Sequence, residues 1–184
     1  MKIQRYKQKI PEGCLARSLL ILLEKSNNIK INDKLELDLF NFALHFSREN
    51  FIMGHLEKFS KKFNQKVKWI VDTQVYYDFT KKLKLSKKIN LEKQKINLET
   101  IDKLLPKPLI VYIDQFYLWN KKQNLYYKYH YPHFIVILKK QKKGYIILDP
   151  NDGEEKLISS KLLSQSVSEL RNKLWFSPQI IQLK

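Results

Sequence analysis

The sequence carries the residue types of a thiol nucleophile and its partners at widely separated places. Cys14 is the only cysteine among 184 residues, and a long apolar stretch follows it at once. His133 and Asp149 lie near the C-terminus, and Gln8 lies six residues before Cys14. A nucleophilic thiol needs a general base, and the base needs a group that orients its ring. These residues predict nucleophilic catalysis, with Gln8 as a hydrogen-bond donor to the oxyanion that forms on the substrate.

The spacing of His133 and Asp149 predicts that their side chains meet. His133 opens the apolar run 133–138, and Asp149 closes the apolar run 145–149, with a polar, glycine-containing segment between them. This pattern is typical of a β-hairpin. If the hairpin turns about Gln141, His133 and Asp149 stand eight residues on either side of the turn. They would then be cross-strand neighbours.

Each of these residues also has a purely structural interpretation. A lone cysteine on an apolar helix is commonly a small buried hydrophobic residue, and Asp149 can cap a turn. His133 can be structural, and His130 is a rival for the role of base. We favour His133 because it begins the strand predicted to pair with Asp149. Two histidines without a nearby carboxylate or thiolate make a poor metal site, so neither a metal nor a cofactor is expected.

Length and composition predict one domain over residues 1–184. A chain of this length buries roughly 70% of its unfolded surface. Its apolar runs fall well short of the roughly 20 residues that span a membrane. The first ten residues are polar and basic, unlike a signal peptide, and one cysteine excludes an intramolecular disulfide. We therefore expect a cytoplasmic protein without a membrane partner.

The formal charge of +17 is compatible with a nucleic-acid partner. However, only four of the 35 basic residues are arginines, and the lysines are spread along the whole chain. Base readout and bidentate phosphate binding favour arginine. We expect no specific nucleic-acid partner, and a basic nucleic-acid-binding module is kept as an alternative.

Apolar periodicity places helices first and strands later. Residues 14–25 read as a helix that is apolar on nearly all sides, which is typical of a helix inside a core. The segment 72–97 is lysine-rich and weakly patterned, with room for a short helix and an irregular connection. Further helices are predicted over 35–48, 50–63, 97–107 and 159–173, and strands over 66–71, 108–114, 133–138, 145–149, 154–158 and 178–183. This order predicts an α+β fold in which N-terminal helices, with the Cys-bearing helix at the centre, pack on a mostly antiparallel sheet.

The predicted position of Cys14 suits a reactive thiol. In the first turn of a helix, unsatisfied N–H groups and the positive end of the dipole lower the pKa of a thiol. Aromatic residues are also dense before and after His130, where they can wall a substrate groove, although core packing explains most of them. They are Tyr112, Phe116, Tyr117, Trp119, Tyr126, Tyr127, Tyr129 and Tyr131.

These motifs resemble the papain-like cysteine peptidases, and among them the stand-alone relatives of the bacteriocin-processing, double-glycine-leader peptidases. That family has a Gln, five further residues and then the nucleophilic Cys at a helix start, as in Gln8 and Cys14. A His before an apolar strand follows, as in His133, and then a strand that ends in Asp-Pro, as in Asp149.

The resemblance implies a papain-like fold and cleavage of a peptide, isopeptide or amide bond through an acyl-enzyme. Cys14 would be the nucleophile, His133 the general base, Asp149 its orienting partner and Gln8 the oxyanion donor. Gly13 and Leu15 stand where many members have an acidic residue and a glycine, and the family's exporter region has no counterpart here. The expected partner is thus a peptide or protein, not specifically a double-glycine leader. The alternative is a catalytically silent relative that binds a peptide or a partner protein.

Overall fold

The computed structural model describes residues 6–46, 50–118 and 129–184. Helices and strands both occur there, which confirms the predicted α+β class. The helices are α1 (Cys14–Asn27), α2 (Asp33–Phe46), α3 (Phe51–Lys62), α4 (Gln74–Lys82), α5 (Leu98–Leu104) and α6 (Ser160–Asn172). The last two residues of the helix predicted over 35–48 lie outside the described ranges. None of these six helices has the length and apolar character needed to cross a membrane.

The seven strands of the described ranges form one sheet in the order β2-β1-β7-β3-β4-β5-β6. Only the β1–β2 pair is parallel, so the sheet is mostly antiparallel, as predicted. The strands are β1 (Val67–Val71), β2 (Ile89–Lys93), β3 (Leu109–Asp114), β4 (Pro132–Gln141), β5 (Gly144–Asp149), β6 (Glu154–Ile158) and β7 (Gln179–Leu183).

Helix α1 lies between the sheet and the other N-terminal helices. All its residues from 15 to 23 are buried, which explains why its sequence is apolar on nearly every side. Alternate side chains of β4 point to opposite faces of the sheet. Phe134 and Val136 join the core around α1, whereas Ile135 and Ile137 join the core around α6. Strand β4 is therefore fixed from both sides, and His133 lies near its start.

The segment 72–97 contains more regular structure than its pattern predicted. A short helix is present as α4, but β2 follows it and pairs in parallel with β1 along five residues. The expectation of an irregular connection is wrong for this strand. β2 lies at the edge of the sheet, and of its residues only Ile89 is buried, so the apolar alternation that marks a strand is weak.

The hairpin of β4 and β5 is present, but its register differs from the prediction. Gln141 pairs with Gly144, so the turn comprises residues 142–143 and is not centred on Gln141. The register also shifts between Ile137 and Lys139, and beyond that irregularity Val136 pairs with Leu148. Continued from this pair, the ladder would set Asp149 opposite residue 135. His133 and Asp149 are thus diagonal neighbours, where direct opposition was predicted.

Candidate functional site

Cys14 begins helix α1 and is partly buried. The preceding residue, Gly13, provides no side-chain cap for the helix. The positive end of the helix dipole therefore lies at the thiol, as the sequence predicted. Behind it the buried residues of α1 anchor the helix in the core, which fixes the position of Cys14 relative to the sheet.

His133 and Asp149 meet despite the offset register. The Nε2–H of His133 donates to Oδ1 of Asp149 over 2.9 Å, and the backbone N–H of Asn151 donates to the same oxygen over 2.8 Å. The two side chains are 3% and 0% exposed. Because Nε2 is occupied by Asp149, Nδ1 is the ring nitrogen left for the thiol. Side chains in diagonal positions on neighbouring strands can still reach each other.

The imidazole of His133 contacts Cys14 as well as Asp149. Burial alone would lower the pKa of His133, but the charge of Asp149 and hydrogen bonds with Asp149 and Cys14 outweigh it and raise that pKa well above its usual value. The structure therefore brings together Cys14, His133 and Asp149. In this arrangement the imidazolium is the favoured form of the ring at neutral pH, and it can stabilise a thiolate beside it.

Gln8 lies in the loop that leads to Cys14. Its backbone N–H donates to the carbonyl oxygen of Pro150 over 2.6 Å, which attaches the loop to the end of β5. Together with Cys14 and His133, the Gln8 side chain lines a cavity of about 360 Å³. Gln8 therefore borders the same cavity as Cys14 and His133.

A buried ion pair that sequence analysis did not identify holds the same loop. Glu36 on α2 is 0% exposed, and its Oε1 accepts the backbone N–H groups of Lys9 over 3.0 Å and Ile10 over 3.2 Å. Its Oε2 accepts from the buried guanidinium of Arg17 on α1. A Cβ at Gly13 would lie 2.7 Å from Oε1 of Glu36, so only glycine allows this close approach.

The sequence contained a signal for this pair. Arg17 is the only charged residue in the apolar part of α1, between Cys14 and Leu23, and a buried arginine requires a carboxylate partner. Nothing in the local pattern identifies that partner, because Glu36 lies 19 residues away on a helix with other acidic residues.

His130, the other candidate for the general base, contacts residues other than Cys14. Its Nδ1 is 2.5 Å from Oδ2 of the buried Asp114, and its Nε2 is 3.4 Å from Nζ of Lys173. Phe116 stacks on the ring at a centroid distance of 4.4 Å. Both ring nitrogens therefore have neighbours other than Cys14, and His133 is the histidine that contacts the thiol.

A second and larger cavity also borders Cys14. It has a volume of about 520 Å³, and Tyr112, Tyr131 and Phe134 are part of its wall. Tyr129 lines the smaller cavity. Part of the aromatic stretch thus borders the candidate site, while Trp119, Tyr126 and Tyr127 lie outside the described residues.

A family comparison agrees with the sequence motifs. The model of the Peptidase C39 family matches residues 76–166. The match includes His133 and Asp149 and begins beyond Cys14, so the family pattern and the N-terminal cysteine motif are separate observations. It confirms the resemblance to bacteriocin-processing cysteine peptidases and supports cysteine peptidase activity in general. A search of the curated proteins finds no match.

Proposed function

We propose that the chain is a papain-like cysteine peptidase, a single catalytic domain that cleaves a peptide, isopeptide or amide bond through an acyl-enzyme on Cys14. One observation carries the proposal: the buried imidazole of His133 contacts both Cys14 and Asp149, at a point where two cavities open. A cysteine that served only as a small core residue would need neither the paired imidazole nor access to a cavity.

In the first half of the reaction, Sγ of Cys14 attacks the carbonyl carbon and the carbonyl electrons move to oxygen. The backbone N–H of Cys14 and the side-chain NH₂ group of Gln8 stabilise this oxyanion. When the intermediate collapses, the C–N bond breaks and the leaving amine takes its proton from His133. The product that remains on the protein is a thioester.

In the second half, His133 takes a proton from water as the water oxygen attacks the thioester. Collapse of the new tetrahedral intermediate expels the Cys14 thiolate and releases a carboxylic acid. Asp149 keeps a proton of His133 on Nε2 and stabilises the positive charge that the ring carries before it protonates the amine and again after it has taken a proton from water. The proton that His133 gives to the amine is thus replaced by one from water within one cycle.

The pH dependence of Cys14 alkylation by iodoacetamide tests the proposal, because the chain has a single thiol. The raised pKa of His133 keeps its imidazolium through neutral pH, and the proposed mechanism requires a reactive thiol paired with that imidazolium. We expect the labelling rates at pH 6 and pH 8 to agree within about fivefold, whereas a thiol with an ordinary pKa of about 8.5 loses roughly 75-fold. Intact-mass spectrometry measures the rates.

His133→Ala is the matched variant for this measurement. It should lose the fast labelling at pH 6 while it keeps the labelling of an ordinary thiol at pH 9. Slow labelling of the wild-type protein at pH 6, or labelling that is indifferent to His133, would contradict the proposal. The catalytically silent relative that binds a peptide or a protein would then be the better interpretation.

Asp149→Asn is expected to lower peptide hydrolysis by at least about tenfold. The substitution removes the negative charge that raises the pKa of His133, and the asparagine NH₂ group can face Nε2 and favour the wrong tautomer. Labelling at pH 6 should fall with it. Asp152→Asn is the control, because Asp152 lies in the same turn and bonds to Glu154 N and Lys156. Full activity of Asp149→Asn would show that Asp149 stabilises the turn and does not orient His133 for catalysis.

A further inference from the structure

We propose that an exposed, lysine-flanked apolar surface beside helix α4 binds anionic lipid bilayers. We call it the α4 surface; it consists of Val75 and Phe79 on α4, Trp175 in the corner between α6 and β7, and the lysines of residues 81–87. Trp175, at 90%, and Val75, at 82%, are the most exposed large apolar side chains among the described residues. The expectation of no membrane partner came from the lack of a spanning segment, and a protein that lies on a bilayer needs none.

The start of α4 lies beside the corner between α6 and β7. The backbone N–H of Thr73 donates to Oγ of Ser177 over 3.2 Å. Val75 follows Thr73 by two residues, and Trp175 precedes Ser177 by two residues. Tyr76, the next residue of α4, lines the same cavity wall as Trp175. The two most exposed apolar side chains are therefore brought to the same side of the molecule.

The apolar part of the α4 surface extends beyond the cavities of the candidate site. Phe79 is 40% exposed and lies four residues after Val75, so the two side chains are neighbours on the helix surface. Neither of them lines the cavities that border Cys14. Trp175 has a φ of 60°, a left-handed conformation that is rare for a bulky residue and clusters at functional sites. Substrate binding does not account for Val75 and Phe79, and exposed apolar patches mark interaction sites.

Positive charge adjoins these apolar side chains. Residues 74–88 contain five lysines and a single carboxylate, that of Asp78. Four of the lysines are exposed, and none of the four forms a salt bridge within the described residues: Lys81, Lys82, Lys84 and Lys87. The negative potential of an anionic leaflet attracts lysines that are held near it. The apolar stem of a lysine also lets its ammonium group reach the headgroups while the stem lies against apolar groups.

A lipid surface fits these residues better than a nucleic acid does. Residues 74–88 contain no arginine, the side chain that base readout and bidentate phosphate binding favour. An aliphatic side chain such as Val75 has no ring to stack on a base, but it is stabilised at the boundary between headgroups and acyl chains. Tryptophan is enriched at that same boundary. The combination of lysines with Val75, Phe79 and Trp175 therefore points to anionic lipid.

Flotation with lipid vesicles tests the proposal, and the assay contains no peptide, so its result does not depend on the proposed reaction. Vesicles of phosphatidylcholine alone are compared with vesicles that also contain about 30% phosphatidylglycerol. At about 0.15 M salt we expect at least about 20-fold tighter binding to the anionic vesicles. Equal binding to both kinds of vesicle, or no binding to the anionic ones, would overturn the proposal.

Two matched double variants separate the α4 surface from the charge of the chain as a whole. Lys81→Gln with Lys82→Gln should weaken binding to the anionic vesicles about 10- to 30-fold. Lys142→Gln with Lys143→Gln removes the same charge from the exposed β4–β5 turn, whereas α4 packs at the β2 edge of the sheet. This control should weaken binding less than about threefold. An equal loss in the two double variants would mean binding by diffuse charge and would overturn the assignment to the α4 surface.

Val75→Ser and Trp175→Ser test the apolar part of the surface. Each should weaken binding to the anionic vesicles about three- to tenfold. Leu157→Ser is the control, because the Leu157 side chain is 49% exposed on β6, and it should bind as the wild type does. Unchanged binding in both apolar variants would overturn the proposal. A duplex oligonucleotide that binds more tightly than the anionic vesicles, with no effect of these two variants, would favour nucleic acid instead and would also overturn it.

The fluorescence of Trp175 measures its insertion directly. Lipids with brominated acyl chains should quench the fluorescence that the wild type has and Trp175→Phe lacks, because Trp175 enters the boundary of the acyl chains. Trp69 is fully buried and should be insensitive to the bromine. Trp175→Phe should keep its binding within about threefold of the wild type, since the ring remains apolar. Equal quenching of the wild type and Trp175→Phe would place Trp175 outside the bilayer and contradict the proposal.

Discussion

Replacement of Cys14 by serine is expected to abolish peptide hydrolysis, with a loss of at least about 10⁴-fold in turnover. A serine hydroxyl is far less acidic than a thiol, so the adjacent imidazolium of His133 cannot hold it as an anion. The melting temperature should stay within about 3 °C, because the change is nearly isosteric and serine is tolerated at a helix start. Hydrolysis of a peptide library, followed by mass spectrometry, and a thermal melt give the two readouts.

Two further measurements make the Cys14→Ser result decisive. The variant should take up no iodoacetamide, since the chain has no other thiol. Ser26→Ala, at the exposed end of the same helix, should keep wild-type turnover and serves as the control. Unchanged hydrolysis by Cys14→Ser would exclude the acyl-enzyme and return the chain to the class of binding modules.

The sequence could predict the neighbourhood of Cys14, His133 and Asp149 because each residue stands at the boundary of a strongly patterned element. The apolar run after Cys14 marks a buried helix, and the runs around the other two residues mark a hairpin. Their catalytic roles stay predictions. The register of the hairpin was not predicted correctly, because the turn lies at residues 142–143, beyond Gln141. The irregularity between Ile137 and Lys139 then shifts the register by one residue in the direction that brings Asp149 closer to His133, and no glycine or proline marks it.

Features that depend on distant partners were not predictable from local pattern. β2 is paired on one side only and is largely exposed, so its stability comes from β1 and not from its own apolar alternation. The His130–Asp114 contact joins two residues that flank the segment between β3 and β4. The pair of Arg17 and Glu36 joins two helices. In all three cases the strand or side chain is present in the sequence, but no local pattern identifies the strand or side chain with which it pairs.

The pair of Arg17 and Glu36 is the basis of the second prediction with a large expected effect. Glu36→Gln is expected to lower the free energy of unfolding by about 3 kcal/mol, which corresponds to a fall of roughly 6–12 °C in melting temperature. The carboxylate accepts on both oxygens, from the loop amides of Lys9 and Ile10 and from Arg17. Glutamine offers one acceptor and one donor, so in either orientation a buried donor loses its partner. A typical domain of this size stays folded after such a loss.

The same substitution should lower the rate of peptide hydrolysis more than it lowers the reactivity of the Cys14 thiol. Glu36 holds the loop between Gln8 and Cys14, so it acts on the oxyanion donor through the backbone and is a positioning residue. Alkylation by iodoacetamide forms no oxyanion, whereas peptide hydrolysis depends on one. We therefore expect the ratio of hydrolysis to iodoacetamide labelling to fall at least about tenfold in Glu36→Gln.

Asp33→Asn is the matched control for this ratio. Oδ1 of Asp33 accepts from the same Arg17 guanidinium over 2.5 Å, but its side chain is 59% exposed. The control therefore weakens the ion pair of Arg17 without touching the hydrogen bonds of Lys9 and Ile10, and its ratio should equal that of the wild type. If Glu36→Gln lowers stability but leaves the ratio unchanged, Glu36 supports the fold alone. If both variants lower the ratio of hydrolysis to labelling equally, the effect comes from the loss of negative charge beside Arg17. It would then not come from the attachment of the loop between Gln8 and Cys14.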